Sequence, residues 1–176
     1  MLNFSDPHIG FATLADIVAI KDLLNRAYRG ESSKQGWTTE ADLIAGDTRT
    51  DDKNVQEVMQ QTDSVFLLYK NDDHFITGCV NLQKHGPKIY LGMFSVLPKS
   101  QGSGIGKQLL LAAEEYAHEI NSLAIYMSVI TLRTELINWY MRRGYADTGE
   151  RKPFIEDGLT GKHLQPLEFM ILEKSL

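Results

Sequence analysis

The chain has 176 residues, 43% of them hydrophobic and 23% charged, with a formal net charge of −5 and a single cysteine. This is the length and composition of one globular domain with enough apolar material for a core; disorder, an internal disulfide and a cysteine-rich metal site are excluded. Mild acidity argues against nucleic acid as a partner, no apolar run approaches the ~18 residues of a membrane span, and the first residues do not read as a secretory signal, so a cytoplasmic location is expected.

Residues 9–12 form a short apolar run that reads as a first strand. Thr13 then sits as an N-cap with Asp16 at the capping-box position, and Leu14, Ile17, Val18, Ile20, Leu24 and Tyr28 recur at helical spacing until Gly30. A loop with a fresh N-cap at Thr38 or Thr39 follows, then a short helix over residues 54–61. From Glu40 to Asp63 there are seven acids against two bases, so the negative charge is concentrated there. It hints at a cationic acceptor, or it is a solvated acidic face.

The period then changes to that of strands. Residues 64–70 and 75–82 form a hairpin through Asn71 and His74, and residues 88–97 form a third strand closed by Pro98. Residues 104–118 read as a helix with Leu109, Leu110, Ala113 and Ala117 on one face. A buried strand over 123–130, a helix over 132–142 stopped at Gly144, and strands over 145–152 and 167–173 complete the order β-α-α-β-β-β-α-β-α-β-β, a mixed α/β domain spanning 1–176.

The chemistry-bearing stretch is the turn after the third strand, Gln101-Gly102-Ser103-Gly104-Ile105-Gly106-Lys107. Glycines let backbone N–H groups approach a ligand, and a helix N-terminus adds free donors and a partial positive charge, a combination suited to phosphate or pyrophosphate. A flexible helix start reads the same way locally. The spacing matches neither a P-loop nor a dinucleotide-binding fingerprint.

Gln101-x-x-Gly104-x-Gly106 after Val96-x-Pro98, followed by a strand and a helix ending Tyr140-x-x-x-Gly144-Tyr145, resembles the GNAT superfamily of acetyl-CoA-dependent N-acetyltransferases. The resemblance implies a GNAT-like α/β fold, a mostly antiparallel sheet splayed at its centre and flanked by helices. It implies acetyl-CoA in the V of that sheet. Backbone groups of Phe94, Ser95 and Val96 would pair with the pantetheine arm, and Gln101, Gly102, Ser103, Gly104, Ile105, Gly106 and Lys107 would cradle the pyrophosphate. Tyr140 would protonate the leaving thiolate; as a residue alone it also reads as a core aromatic beside Trp139. Arg133 stands where many members have Asn; it is either a contact to cofactor phosphate or a surface charge. Glu31, Trp37, Glu40 and Tyr90 are the acceptor-side candidates. Glu31 or Glu40 would act as base through water or else be an ordinary carboxylate, Trp37 would wall the acceptor pocket or pack in the core, and Tyr90 is a poor base unless shifted.

Cys79 reads as a buried small hydrophobe, Arg142 and Arg143 as a charge pair at a helix C-terminus, and no histidine spacing suggests a metal. The expected activity is acetyl transfer to a small-molecule or peptide amine by direct attack in a ternary complex; the alternative is a non-catalytic acyl-CoA-binding module. Neither nucleic acid nor membrane is an expected partner, and homodimerisation is left open.

Overall fold

Seven strands form one sheet in the order β1-β2-β3-β4-β5-β7-β6 in the computed structural model, which describes residues 2–176. The strands are β1 (Ile9–Phe11), β2 (Ser64–Lys70), β3 (Ile76–His85), β4 (Lys88–Val96), β5 (Ala124–Ile130), β6 (Ala146–Pro153) and β7 (Glu168–Ser175). The helices are α1 (Ile17–Tyr28), α2 (Gly30–Ser33), α3 (Asp52–Gln60), α4 (Ile105–Glu119) and α5 (Thr134–Met141). Every pairing is antiparallel except that of β4 with β5. The expected mixed α/β architecture is therefore the one the chain adopts. Among the described residues no helix is long and apolar enough to cross a membrane.

The core follows from strands that are apolar on both sides. β3 is buried from Thr77 to Leu82 because helices cover both faces of the sheet there. On one face Ile20 and Leu24 of α1 and Val55 of α3 pack with Phe66, Leu68 and Cys79. On the other, Leu109, Ala113 and Ala117 of α4 pack with Leu67, Val80 and Leu82. Burial pushes the Cys79 thiol up to about 12, so it stays a neutral core group.

Two features of β4 position the site. It pairs with β5 only at Lys88↔Ala124, Ile89↔Ile125 and Tyr90↔Tyr126, and the strands then part. Second, Cys79 lies opposite Ser95 but Asn81 opposite Gly92, so β4 carries one extra residue there, and Met93 takes a positive φ of 46°. This is a β-bulge, which bends its strand and re-aims its backbone groups.

The structure departs from expectation in the first third of the chain. Thr13 and Asp16 do bond, Thr13 N–H donating to Asp16 Oδ2 at 2.8 Å, but they open a single 3-10 turn (Leu14–Asp16) before α1 begins at Ile17. Leu14, in the tighter turn, is 56% exposed, and Val18, inside α1, falls on the helix face away from Ile20 and Leu24 and is 54% exposed. An extra four-residue helix, α2, follows Tyr28. No helix starts at Thr38 or Thr39; residues 37–43 form turns, and the next helix waits for Asp51, whose side chain accepts from Asn54 N–H at 2.7 Å.

Candidate active site

Where β4 and β5 part, a cleft of about 330 Å³ opens between the end of β4, the start of α4 and the face of α5. Its walls include Phe94, Ser95 and Val96 on one arm, Gln101, Gly102, Gly104, Gly106 and Lys107 below, and Glu135, Leu136, Trp139, Tyr140, Arg142 and Arg143 opposite; Tyr28, Trp37 and Thr38 close one end.

The floor is an uncapped helix N-terminus. Gly104 takes the N-cap position at φ 91°, a left-handed conformation that favours glycine, and no side chain caps the helix. The first amide returned to the chain is that of Gln108, donating to the Gly104 carbonyl at 3.0 Å. The N–H groups of Ile105, Gly106 and Lys107 are thus left as donors at the positive end of the α4 dipole. A Cβ placed on Gly102 or Gly104 would meet nothing within 4 Å, so the backbone borders open space. Ser103 turns its hydroxyl back to the Ser100 carbonyl and takes no part in the wall. Lys107, Arg142 and Arg143 bring positive charge to the same space. The Arg143 guanidinium stacks 3.7 Å from the Trp139 ring centre, and its buried Nε has no partner. Free amides, open backbone and arginine together fit a diphosphate-bearing ligand such as acetyl-CoA.

The β4 arm is held rigid. Tyr28 Oη donates to the Phe94 carbonyl and Gln101 Nε2 to the Val96 carbonyl at 3.0 Å. Beyond Tyr90 this arm has no strand partner on its β5 side, so its main chain faces the cleft.

Tyr140, 5% exposed, lies among the rings of Phe94, Trp139 and Tyr145 at centroid distances of 6.3, 5.2 and 5.8 Å. Burial above all, reinforced by the Tyr28 phenol and only partly offset by Arg133, holds its pKa well above the ordinary tyrosine value. It therefore keeps its proton at neutral pH.

Several residues singled out from sequence stand elsewhere or act otherwise. The Gln101 carboxamide is turned toward protein, not toward phosphate: Oε1 accepts from Trp37 and Thr38 N–H at 2.8 and 3.3 Å, and Nε2 donates to Thr38 Oγ1 at 2.8 Å. It clamps the 37–38 loop onto the end of β4. Ile105 buries its side chain in the core, so only its amide faces the turn. Arg133 is neither a phosphate contact nor a surface charge; it donates to Glu40 Oε2 at 3.2 Å and to the Thr38 carbonyl.

Glu40 is almost fully buried, held by Arg133 and by Arg29 at 2.7 Å. Burial works to raise its pKa, but Arg133, Arg29 and Arg49 outweigh it and the net shift is downward. A carboxylate so paired is a poor proton acceptor. Glu31 points to solvent and pairs with Lys34 at 2.8 Å. Tyr90 lies outside the cleft wall, stacked on His85 and tilted against Tyr126 at centroid distances of 5.8 and 5.3 Å. Trp37 does line the cleft, 6.4 Å from Trp139 between ring centres. Tyr28, Arg142 and Arg143 escaped the sequence reading as cleft residues. Tyr28 looks like any last apolar residue of a helix, and Arg143 looks like a helix-terminal charge until its ring contact with Trp139, four residues earlier, is seen. Among the described residues no group of three or more His, Cys, Asp or Glu could hold a metal ion.

Comparison with known proteins bears on this geometry. Residues 17–145 match the model of the "Acetyltransferase (GNAT) family". No curated protein matches the chain at a significant level. Among solved structures, a ribosomal-protein-alanine N-acetyltransferase from Brucella melitensis superposes with a TM-score of 0.71 at 18% identity, covering 96% of this chain and 99% of its own. The yncA protein of Salmonella typhimurium, solved with its cofactor acetyl-CoA, gives 0.69 at 19% identity over 96% and 92%. The ribosomal-protein-S18-alanine N-acetyltransferase of Escherichia coli gives 0.70 at 13% over 95% and 92%. At such identities the likeness speaks to the fold.

Proposed function

Because the chain belongs to the GNAT acetyltransferase family, whose members use acetyl-CoA for acyl transfer, we propose that it moves an acetyl group from acetyl-CoA to an amine by direct attack in a ternary complex. The observation that carries this reading is convergence: the uncapped start of α4, the unpaired bulged edge of β4 and the protonated Tyr140 share one cleft.

Acetyl-CoA supplies the acetyl group as a reactive thioester. The amides of Ile105, Gly106 and Lys107, with Arg142 and Arg143, would hold its phosphates, and the Phe94–Val96 edge would align its arm. Main-chain donors of that edge stabilise negative charge gathering on the acetyl oxygen. Tyr140 holds a proton at Oη for the departing sulfur. Trp37 and the 37–38 loop, clamped by Gln101, border the acceptor's approach.

The test pairs binding with turnover. Saturating acetyl-CoA raises thermal stability, by about 2.7 kcal/mol at a hundredfold excess over Kd. Tyr140→Phe keeps the ring packing and lowers kcat by ~10²–10⁴-fold with little change in acetyl-CoA affinity. Undiminished turnover in the variant removes Tyr140 as the acid. Tight acetyl-CoA binding without acetylation of any amine or peptide in a broad panel leaves the non-catalytic binding module as the better account.

A further inference from the structure

Tyr28 closes one end of the cleft, and around it the chain collects more positive charge than it neutralises. Arg29 and Glu40 are 3% and 8% exposed, and Arg133 is nearly as enclosed. The single Glu40 carboxylate serves both arginines, at 2.7 and 3.2 Å. A third guanidinium, that of Arg49, stacks 4.8 Å from the Tyr28 ring centre, half-buried, with no side-chain hydrogen bond and no carboxylate within 4.0 Å among the described residues. Three acidic residues of the same segment act elsewhere: Asp51 caps α3, Asp52 lies beside Lys21, and Glu57 pairs with Lys53. Against one carboxylate stand three guanidinium groups, Arg29 and Arg133 enclosed and Arg49 half-buried, an excess of positive charge that an anion would offset.

The backbone that carries Arg49 is firmly placed. Asn25 of α1 accepts from the N–H groups of Arg49 and Thr50 at 2.7 and 3.0 Å and donates to the Thr50 carbonyl at 3.1 Å. The ring under Arg49 belongs to the tyrosine whose hydroxyl holds the Phe94 carbonyl. The next residue along the edge, Ser95, lines the cleft with its buried hydroxyl beside the Tyr28 phenol. Arg49 is not itself a wall of the cleft, but it stacks on Tyr28, the ring that closes this end, so an unpaired guanidinium able to donate to oxygen lies against it.

We infer that the acceptor is an amine carrying an acidic group, a free amino acid or a close analogue, whose carboxylate pairs with Arg49 while its amine reaches the edge formed by Phe94, Ser95 and Val96. This rests on the acetyl-transfer reading above and narrows it, turning away from the cationic acceptor that the acidic 40–63 segment hints at. The reaction balances without the carboxylate: the N–C bond forms, the C–S bond breaks, one proton leaves nitrogen and one reaches sulfur. Arg49 sets which amines bind.

The experiment measures thiol release and product mass with acetyl-CoA and matched acceptor trios: free amino acids, their carboxamides, and the corresponding decarboxylated amines. At least one free amino acid is acetylated with a kcat/KM tenfold or more above its carboxamide. Arg49→Gln raises KM for that acid by about ten- to a hundredfold and leaves the carboxamide unchanged, and Arg49→Lys recovers part of the loss. The acid-to-amide ratio is taken within each variant, so a smaller folded fraction cancels. Carboxamides or plain amines used as well as the acids overturn the inference and leave acetyl transfer standing, as does a ratio that Arg49→Gln does not move. If acetyl-CoA binds and nothing is acetylated, N-acetyl amino acids are titrated calorimetrically into the CoA-loaded protein. Binding that Arg49→Gln abolishes upholds the acid site while the transfer reading falls; absence of binding overturns the inference.

Discussion

Glu40→Gln removes a charge and almost no volume, and its expected cost follows from what surrounds the carboxylate. In the native chain Glu40 answers Arg29 and Arg133, both enclosed, and Arg49 adds attraction from farther off. The amide keeps one acceptor oxygen but leaves the guanidinium groups without a counter-charge. Removing one partner of a buried pair costs about 3–5 kcal/mol, against a total stability of roughly 5–15 kcal/mol for a domain. For a chain of this length that is a fall in Tm of roughly 6–20 °C. The pH dependence supplies a second, independent check. The folded pKa of Glu40 lies below its ordinary 4.5, so its contribution is fully present above about pH 4.5 and is lost as pH falls through the folded value. Urea unfolding followed by far-UV circular dichroism at pH 7 and at successively lower pH measures both effects. The gap between wild type and variant is widest at pH 7 and closes in acid. A variant within about 1 kcal/mol of wild type at pH 7, or a gap that does not change with pH, would refute the view of Glu40 as the anion that holds this cluster together.

Three further outcomes are expected. Gly104→Val places a branched side chain at φ 91°, in the space where the helix-start amides are free; it weakens acetyl-CoA binding at least tenfold, about 1.4 kcal/mol by calorimetry, and an unchanged Kd removes this turn from the phosphate site. Gln101→Ala releases Trp37 and Thr38 from β4, costing roughly 1–3 kcal/mol; hydrogen exchange at residues 37–38 rises, and unchanged protection there would deny the clamp. Protonated His8 donates from Nε2 to Asp72 and from Nδ1 to Asp6, and these hydrogen bonds raise its pKa above 6.5. Its hold on the β2–β3 turn is therefore complete below about pH 6.5 and lost as pH rises through the raised value; an NMR titration shows a midpoint above 6.5 that Asp72→Asn lowers.

What could be read in advance was what is local. A strand, a proline, a glycine-rich turn and a helix start lie within 15 residues of each other, and β2, β3 and β4 alternate or run apolar in place, so their existence and the cleft floor were legible. The bulge was not: it is a mismatch of register between β3 and β4, and only Gly92 within a strand signals it. The stripe failed at Leu14 because it carried a helical period across a 3-10 turn, and at Val18 because helical spacing places that residue opposite Ile20. The charge cluster was beyond reach for a different reason. Glu40 and Arg133 are separated by 93 positions, and nothing near either residue announces the other. Gln101 fits a phosphate-turn motif in sequence, yet its side chain is captured by a loop that arrives from 63 positions away.

The position of β7 has a consequence for synthesis of the chain. Last of the strands in sequence, it sits between β5 and β6, so every residue of β5 from Ala124 to Ile130 waits for it. A nascent chain can complete the β1–β4 meander, whose strands are neighbours in sequence, while the ribosome still holds the rest. Until residues 168–175 emerge, β5 shows a bare hydrogen-bonding edge and β6 has nothing to pair with, a condition that invites association with other chains. Truncation within β7, or a slow stretch of translation just ahead of it, therefore favours aggregates over a smaller folded product.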